Sequence, residues 1–302
     1  VERGPLYKSG EESCKVLPVD LDDLWRSPLR CTPSGTPMPH DCVGRRKGGV
    51  SGQPMPAAAP DAVEFARTQL GFEPDGNQAW MLAGEHHRLL VNCTRQWGKS
   101  TTSAIKALHV LMRTPGAEVV VLSPIARQSG EFLRKVATFV DQLGMKIRGD
   151  GHNPMSLELP NRSRVVGLPG SSGDRVRGFS NLKLLVLDEA ARLKDETYRA
   201  ARPMLAASRG DLWAVSTPLG KRGFFYENWS RADGEWERLT VKATDCARIP
   251  AEFLEEERRE LGDEWVRQEY LCEFVDVDGA VFRREIVDRA FDDGLEVLVV
   301  GS

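Results

Sequence analysis

One turn-forming stretch, set between an apolar run and an amphipathic segment, constrains this chain more than any other feature. Leu89-Leu90-Val91 leads into Asn92-Cys-Thr-Arg-Gln-Trp-Gly-Lys-Ser-Thr101, and Ser103 to Met112 follows with the spacing of a helix. Strand, turn and helix N-terminus form a setting in which backbone N–H groups point at an anion and the helix dipole favours negative charge. Gly98 lets the backbone approach phosphates, Lys99 can reach the β and γ oxygens, and the Ser100 hydroxyl can ligate Mg²⁺. The usual phosphate-loop motif opens with a glycine where this chain carries Cys93. Taken alone, the stretch leaves an ordinary helix start open.

A second motif removes that alternative. Leu184-Leu185-Val186-Leu187 runs into Asp188-Glu189. Four apolar residues ending in two acids read as a buried parallel strand with carboxylates at its C-terminal end, where ligands of open α/β sheets bind. Asp188 is placed to hold Mg²⁺ through water, in the manner of a Walker B acid. Glu189 is placed to orient and deprotonate an attacking water. Together the two motifs predict an ATPase with ATP and Mg²⁺ as its ligands.

The rest of the chain fits that fold class. Asp61 caps a helix over Ala62–Leu70 that stops at Gly71, and another short helix covers Asn77 to Leu82. Glu118 to Ser123 reads as a strand and Gln128 to Leu143 as an amphipathic helix. Ser156–Leu159 and Arg164–Leu168 make a hairpin across Pro160-Asn161. A helix spans about Asp195 to Ser208, Asp211 to Pro218 reads as a strand, and Glu252 to Glu273 as a charged helix or helix pair. Alternating strands and helices predict a mainly parallel sheet with helices on both faces, and with the two motifs the fold class expected is an α/β P-loop NTPase of RecA-like type. Residues 1–58 are rich in Pro, Gly and Ser and lack periodicity, which predicts a disordered tail; 59–275 form the ATPase domain. Residues 276–302 form a linker with one apolar strand, Leu295–Val300.

Composition narrows function less. The net charge of −3 means that any nucleic-acid contact must come from local patches, for which Arg127, Arg134, Lys135, Lys221 and Arg222 are candidates. No apolar run is long enough for a membrane span, and the N-terminal residues do not read as a signal peptide. The six cysteines are scattered, and the reading is a reduced, cytosolic chain. Cys14, Cys31, His40 and Cys42 lack the close pairing of structural zinc sites.

These motifs together resemble the large terminase subunit, the DNA-packaging motor of tailed bacteriophages, over roughly residues 61 to 285. Thr94-Arg95-Gln96-Trp97-Gly98-Lys99-Ser100-Thr101 is similar to that family's deviant Walker A. Phe72 to Gln78 is similar to its adenine-recognition segment, Ser216-Thr217-Pro218 to its coupling motif, and Ile249-Pro250 through Gln268-Glu269-Tyr270 to Phe274 to the stretch that closes its ATPase domain. The resemblance implies ATP hydrolysis coupled to translocation of double-stranded DNA into a procapsid. It also implies a homo-oligomeric ring on a portal protein, a small terminase subunit as partner, and action in the host cytoplasm. A C-terminal nuclease is expected of the family; Gly294 to Gly301 is similar to the first strand of such a domain, truncated here, and its metal-binding carboxylates match no residue of this sequence.

Several roles stay two-sided at this stage. Arg95 either reaches the γ-phosphate in cis or pairs with an acid. Arg177, in an Arg-Gly step before the acidic strand, is either a finger presented to a neighbouring subunit or a solvated loop arginine. Gln78 either reads the adenine edge or sits on a helix surface, and Ser216 and Thr217 either sense the γ-phosphate or merely close a strand. Trp97 packs beside the nucleotide or under the sheet. A DExx-box helicase also fits Asp188-Glu189, but too few residues follow Arg192 for the second domain it needs. A non-catalytic P-loop scaffold on DNA is the other alternative.

Overall fold

The computed structural model describes residues 57–58, 61–147, 149, 155–171, 179, 181–231 and 234–275. Arg177, the Cys14, Cys31, His40 and Cys42 set, the strand expected at Leu295–Val300 and nearly all of the expected tail lie outside the described residues.

In chain order the elements are α1 (Ala62–Leu70), α2 (Gly76–Ala83), β1 (Arg88–Cys93), α3 (Lys99–Arg113), β2 (Glu118–Ser123), α4 (Ala126–Gln142), β3 (Ser156–Glu158) and β4 (Arg164–Pro169). They continue with β5 (Leu182–Asp188), α5 (Asp195–Ala201), α6 (Met204–Ser208), β6 (Asp211–Ser216), α7 (Gly223–Ser230), β7 (Glu237–Val241), α8 (Ala251–Leu261) and α9 (Asp263–Glu269). The strands form one sheet in the order β3-β4-β2-β5-β6-β1-β7. Every pairing is parallel except β3 with β4, the expected hairpin.

Alternation along the strands feeds two cores. Leu89, Val91, Val119, Val121, Val186 and Trp213 face one side, where Phe65, Met81, Leu108 and Phe132 of α1 to α4 cover them. Leu90, Val120, Leu122, Leu185, Leu187 and Leu212 face the other, under Tyr198, Leu205, Phe224 and Phe225 of α5 to α7. Burial on both faces explains why β2 and β5 read as continuous apolar runs. The consequence for the site is positional. Strand β6 lies between β1 and β5, so the C-terminal ends of three adjacent strands deliver the phosphate loop, Ser216 and Asp188 to one edge.

Local signals set most boundaries. The Asp61 side chain accepts from Val63 N at 2.7 Å, and Gly71 ends α1 in the left-handed region at φ 60°. Asp75 and Gln78 form a reciprocal capping box on α2. The single helix expected over Asp195–Ser208 is two, because Pro203 has no N–H to continue α5 and instead precedes α6. Likewise Gly262, at φ 88°, separates α8 from α9. Two elements carry no sequence signal of their own. Helix α7 is short and aromatic-rich, and β7 is an edge strand whose sequence, ERLTV, lacks a buried alternation. Among the described residues no helix is long and apolar enough to cross a membrane.

Candidate active site

The loop between β1 and α3 is held from its outer side. Thr94 N donates to Val241 O of β7 at 2.9 Å, and Arg95 N donates to Glu269 O at 3.3 Å. Gln78 Nε2 donates to Trp97 O at 3.0 Å, Arg248 Nη2 donates to the same carbonyl, and Trp97 Nε1 donates to Asp75 Oδ2 at 2.9 Å. Gly98 closes the loop at φ 106°, a conformation that side chains rarely adopt, and a Cβ there would meet Gln78 Nε2 at 3.0 Å. No side chain caps α3. Its first-turn N–H groups and dipole are therefore available to an anion in the loop's concavity.

The two acids at the end of β5, Asp188 in the strand and Glu189 just after it, converge on the start of that helix. Ser100 Oγ lies 3.1 and 3.2 Å from the two Asp188 carboxylate oxygens. Lys99 Nζ lies 2.9 Å from Glu189 Oε1. Burial pushes the Asp188 carboxyl up to about 6, although Lys99 pulls it back. Burial works against the charged Lys99 ammonium, yet Cys93, Glu189 and Asp188 around it more than offset this, and its pKa is raised. Glu189 itself sits in the left-handed region at φ 54°, where the chain leaves the strand for a short 3-10 turn, Ala190–Arg192. For a non-glycine residue that is an uncommon, strained backbone, and it aims the carboxylate back across the loop.

Other residues singled out from the sequence lie around this centre in different roles. Ser216 and Thr217 are fully buried one strand over; Ser216 Oγ donates to Thr217 O at 2.6 Å and accepts from Ala191 N at 3.2 Å. Thr94 is buried with its hydroxyl turned to Glu269 O, away from the concavity. Gln96 is exposed at φ 63°, and Thr101 is half-buried in the first turn of α3. The Trp97 indole belongs to the core under the sheet, the second of its two expected locations. Gln78 is not a surface glutamine: it is 2% exposed, with its amide nitrogen on Trp97 O and its oxygen accepting from Asp75 N at 3.1 Å. In this conformation the carboxamide braces the loop instead of presenting its edge to a base. Arg95 does not stand free for a γ-phosphate either. Its Nε donates to Glu269 Oε2 at 2.6 Å, a bond that raises its pKa. The acid-paired alternative is the one displayed.

Sequence reasoning gave no individual role to Arg192, or to Glu269 within the Gln268-Glu269-Tyr270 stretch. Arg192 Nη1 lies 3.1 Å from Glu189 Oε2 and 2.9 Å from Thr217 Oγ1, and its Nη2 lies 2.9 Å from Glu269 Oε1. The spacing of Arg192 three residues after Glu189 carries a signal, because one helical turn returns the guanidinium over the acid. Glu269 carries none locally, since it is one acid of a charged helix and only the fold buries it.

A phosphate loop at a helix N-terminus, faced by a strand-borne Asp-Glu pair with one strand between, defines a P-loop NTPase domain. The sequence matches, over residues 91–289, the family described as terminase large subunit, T4likevirus-type, N-terminal, and the chain belongs to that family. It is 26% identical to the large terminase subunit of Thermus virus P23-45, over 70% of this chain and 51% of that protein. It is 25% identical to that of Escherichia phage T5, over 71% and 51%. The chain thus spans about half the length of the curated relatives it matches. Its fold is shared with the large terminase ATPase domain of Thermus phage P74-26, with a TM-score of 0.64 at 22% identity over 72% of this chain and all of that one. It is shared also with the large terminase of another thermophilic bacteriophage, solved with ATP-gamma-S, with a TM-score of 0.56 at 13% identity over 66% of this chain and 52% of that one.

Proposed function

We propose that this chain is the motor domain of a viral DNA-packaging terminase, hydrolysing ATP to drive double-stranded DNA into a procapsid. The observation that carries the reading is the meeting of Lys99, Ser100, Asp188 and Glu189 at an uncapped helix N-terminus. Family membership favours it over the helicase and scaffold alternatives. A portal protein, a small terminase subunit and a ring of identical subunits in the host cytoplasm belong to the same proposal.

The residues account for the chemistry as follows. The polyphosphate of ATP rests on the first-turn N–H groups of α3, with Gly98 allowing close approach. Lys99 leaves Glu189 for the more highly charged β and γ oxygens. Ser100 and Asp188 are the residues that would hold Mg²⁺. They offer hard oxygens only 3.1 Å apart, and the Asp188 carboxylate is buried at the loop's concavity. The ion supplies charge neutralisation of the phosphates when bound. Released from Lys99, Glu189 accepts a proton from water as the water oxygen bonds to the γ-phosphorus and the bond to the leaving ADP oxygen breaks. Arg177 acts across a subunit interface in this proposal, and Gln78 turns from the loop to the adenine on binding. Ser216 and Thr217 report loss of the γ-phosphate.

The test is steady-state ATP turnover beside nucleotide binding. Glu189→Gln should bind nucleotide as the wild type does while kcat falls by about 10²–10⁴, the contribution of a general base. Turnover at the wild-type rate in that variant would overturn the assignment.

A further inference from the structure

Five side chains around the site form an unbroken line of alternating charge. Lys99 contacts Glu189 at 2.9 Å, Glu189 contacts Arg192 at 3.1 Å, Arg192 contacts Glu269 at 2.9 Å, and Glu269 contacts Arg95 at 2.6 Å. The line starts and ends in the phosphate loop, and its only member from the C-terminal helices is Glu269 of α9. That carboxylate is 1% exposed, and each of its oxygens is taken by a different arginine. Its backbone carbonyl accepts from Arg95 N and Thr94 Oγ1 as well. Helix α9 is in turn anchored through Val266 and Tyr270, which pack with Leu254 of α8 and Ala243.

We propose that Arg192 and Glu269 are positioning residues through which α9 sets the poise of the catalytic base Glu189. The proposal rests on the ATPase reading above. Both acids in the line have two cationic partners now. When phosphates draw Lys99 and Arg95 toward themselves, Glu189 and Glu269 each keep one partner, and it is the same one. Arg192 suits that task because a guanidinium presents two N–H edges in a fixed fork, whereas an ammonium is a single point charge. Its Nη1 retains Glu189 Oε2 and Thr217 Oγ1 while Nη2 retains Glu269. Oε1 of Glu189 is thereby left as the free oxygen of an otherwise fixed carboxylate. A buried acid at Glu269 is what keeps the fork from rotating away, because an unpaired buried carboxylate is strongly disfavoured. Thr217 on the same nitrogen ties the segment after β6 to that geometry.

The test compares wild type, Arg192→Lys, Glu269→Gln and their double variant in the full 302-residue chain, each also in a Glu189→Gln background. Rates are counted per site that binds a fluorescent non-hydrolysable ATP analogue, so misfolded molecules drop out. Each single variant should lower kcat about 10- to 100-fold, part of what a general base supplies, with KM and analogue affinity within about threefold of wild type. The double variant should fall no further than the weaker single one, and neither change should lower the residual rate of Glu189→Gln. Undiminished kcat, loss of analogue binding, or losses that persist without Glu189 would each overturn the proposal. If Glu269→Gln fails to fold, Arg192→Lys in the two backgrounds decides alone. Absence of turnover in the wild type, or full turnover by Glu189→Gln, would instead overturn the ATPase reading on which this one stands.

Discussion

At the scale of single residues, the site holds charges and thiols in environments that water would not choose. Asp188 is 5% exposed and its carboxyl is raised to about 6, chiefly by burial, so its ionised form at neutral pH opposes folding. Asp188→Asn should therefore stabilise the nucleotide-free chain, by up to roughly 3 kcal/mol on the scale of one pKa unit per 1.4 kcal/mol, and raise its Tm. The same variant should lose the additional stabilisation that Mg²⁺ and nucleotide give the wild type, and a lower Tm without ligand would contradict the argument. Cys93 offers a second check. It is fully buried, and burial pushes its thiol from 9.0 up to about 12. Because the folded pKa is raised, this contribution to stability is complete below about pH 9 and is lost as pH rises toward 12. Cys93 and the also buried Cys272 should resist iodoacetamide at about pH 8 until the chain is unfolded, as read by peptide mass mapping.

Close approaches between elements locate the intolerant positions. Strand β6 must lie directly beside β5 to set Val215 level with Asp188 and Ser216 one residue beyond it, and Gly210 is the residue that permits it. A Cβ at Gly210 would stand 2.2 Å from the Leu182 carbonyl oxygen and 3.1 Å from Leu205 Cδ2. A backbone oxygen cannot swing aside as a flexible side chain can. Gly210→Ala should thus destabilise by about 2–3 kcal/mol through overpacking, and lower Tm by several degrees. An unchanged Tm would mean that β5 and β6 can part without loss. Much of this level was readable in advance: periodicity and caps marked α1 to α4, and apolar runs marked β1, β2, β5 and β6. Strand β7 was not, because an edge strand with a mostly exposed pattern, ERLTV, has nothing periodic to display.

For the whole molecule, the proposed boundaries and the ring are the testable claims. The expected domain start at residue 59 omits Ala58, which packs against the first core, and Ala57, whose carbonyl accepts from Gln69 Nε2 at 3.1 Å. A chain starting at residue 57 should unfold cooperatively at the Tm of the full chain. A lower Tm or loss of cooperativity would show that the preceding residues are part of the fold. For the ring, Arg177→Ala and Lys99→Ala proteins are mixed after each is shown inactive. If the finger acts between subunits, mixed rings contain interfaces with Arg177 and Lys99 both intact, and activity should partly return. Persistent inactivity in rings that demonstrably contain both chains would place Arg177 within its own subunit.

The sequence by itself determined the fold class and brought out the centre of the candidate site, because both are written in short-range patterns. Gly98-Lys99-Ser100 must follow a strand and open a helix, and Asp188-Glu189 must end a buried strand, whatever the rest of the chain does. Tertiary structure alone decided what surrounds that centre. Whether Arg95 faces a phosphate or an acid depends on Glu269, far along the chain, being carried by α9 to within 2.6 Å. Whether Gln78 lies on a surface or under the loop depends on α2 packing beneath Trp97. Beyond neighbours one helical turn apart, such as Glu189 and Arg192, charged side chains have no sequence period that names their partners. Which of them meet is set by the packing of elements whose own patterns record only which face is apolar.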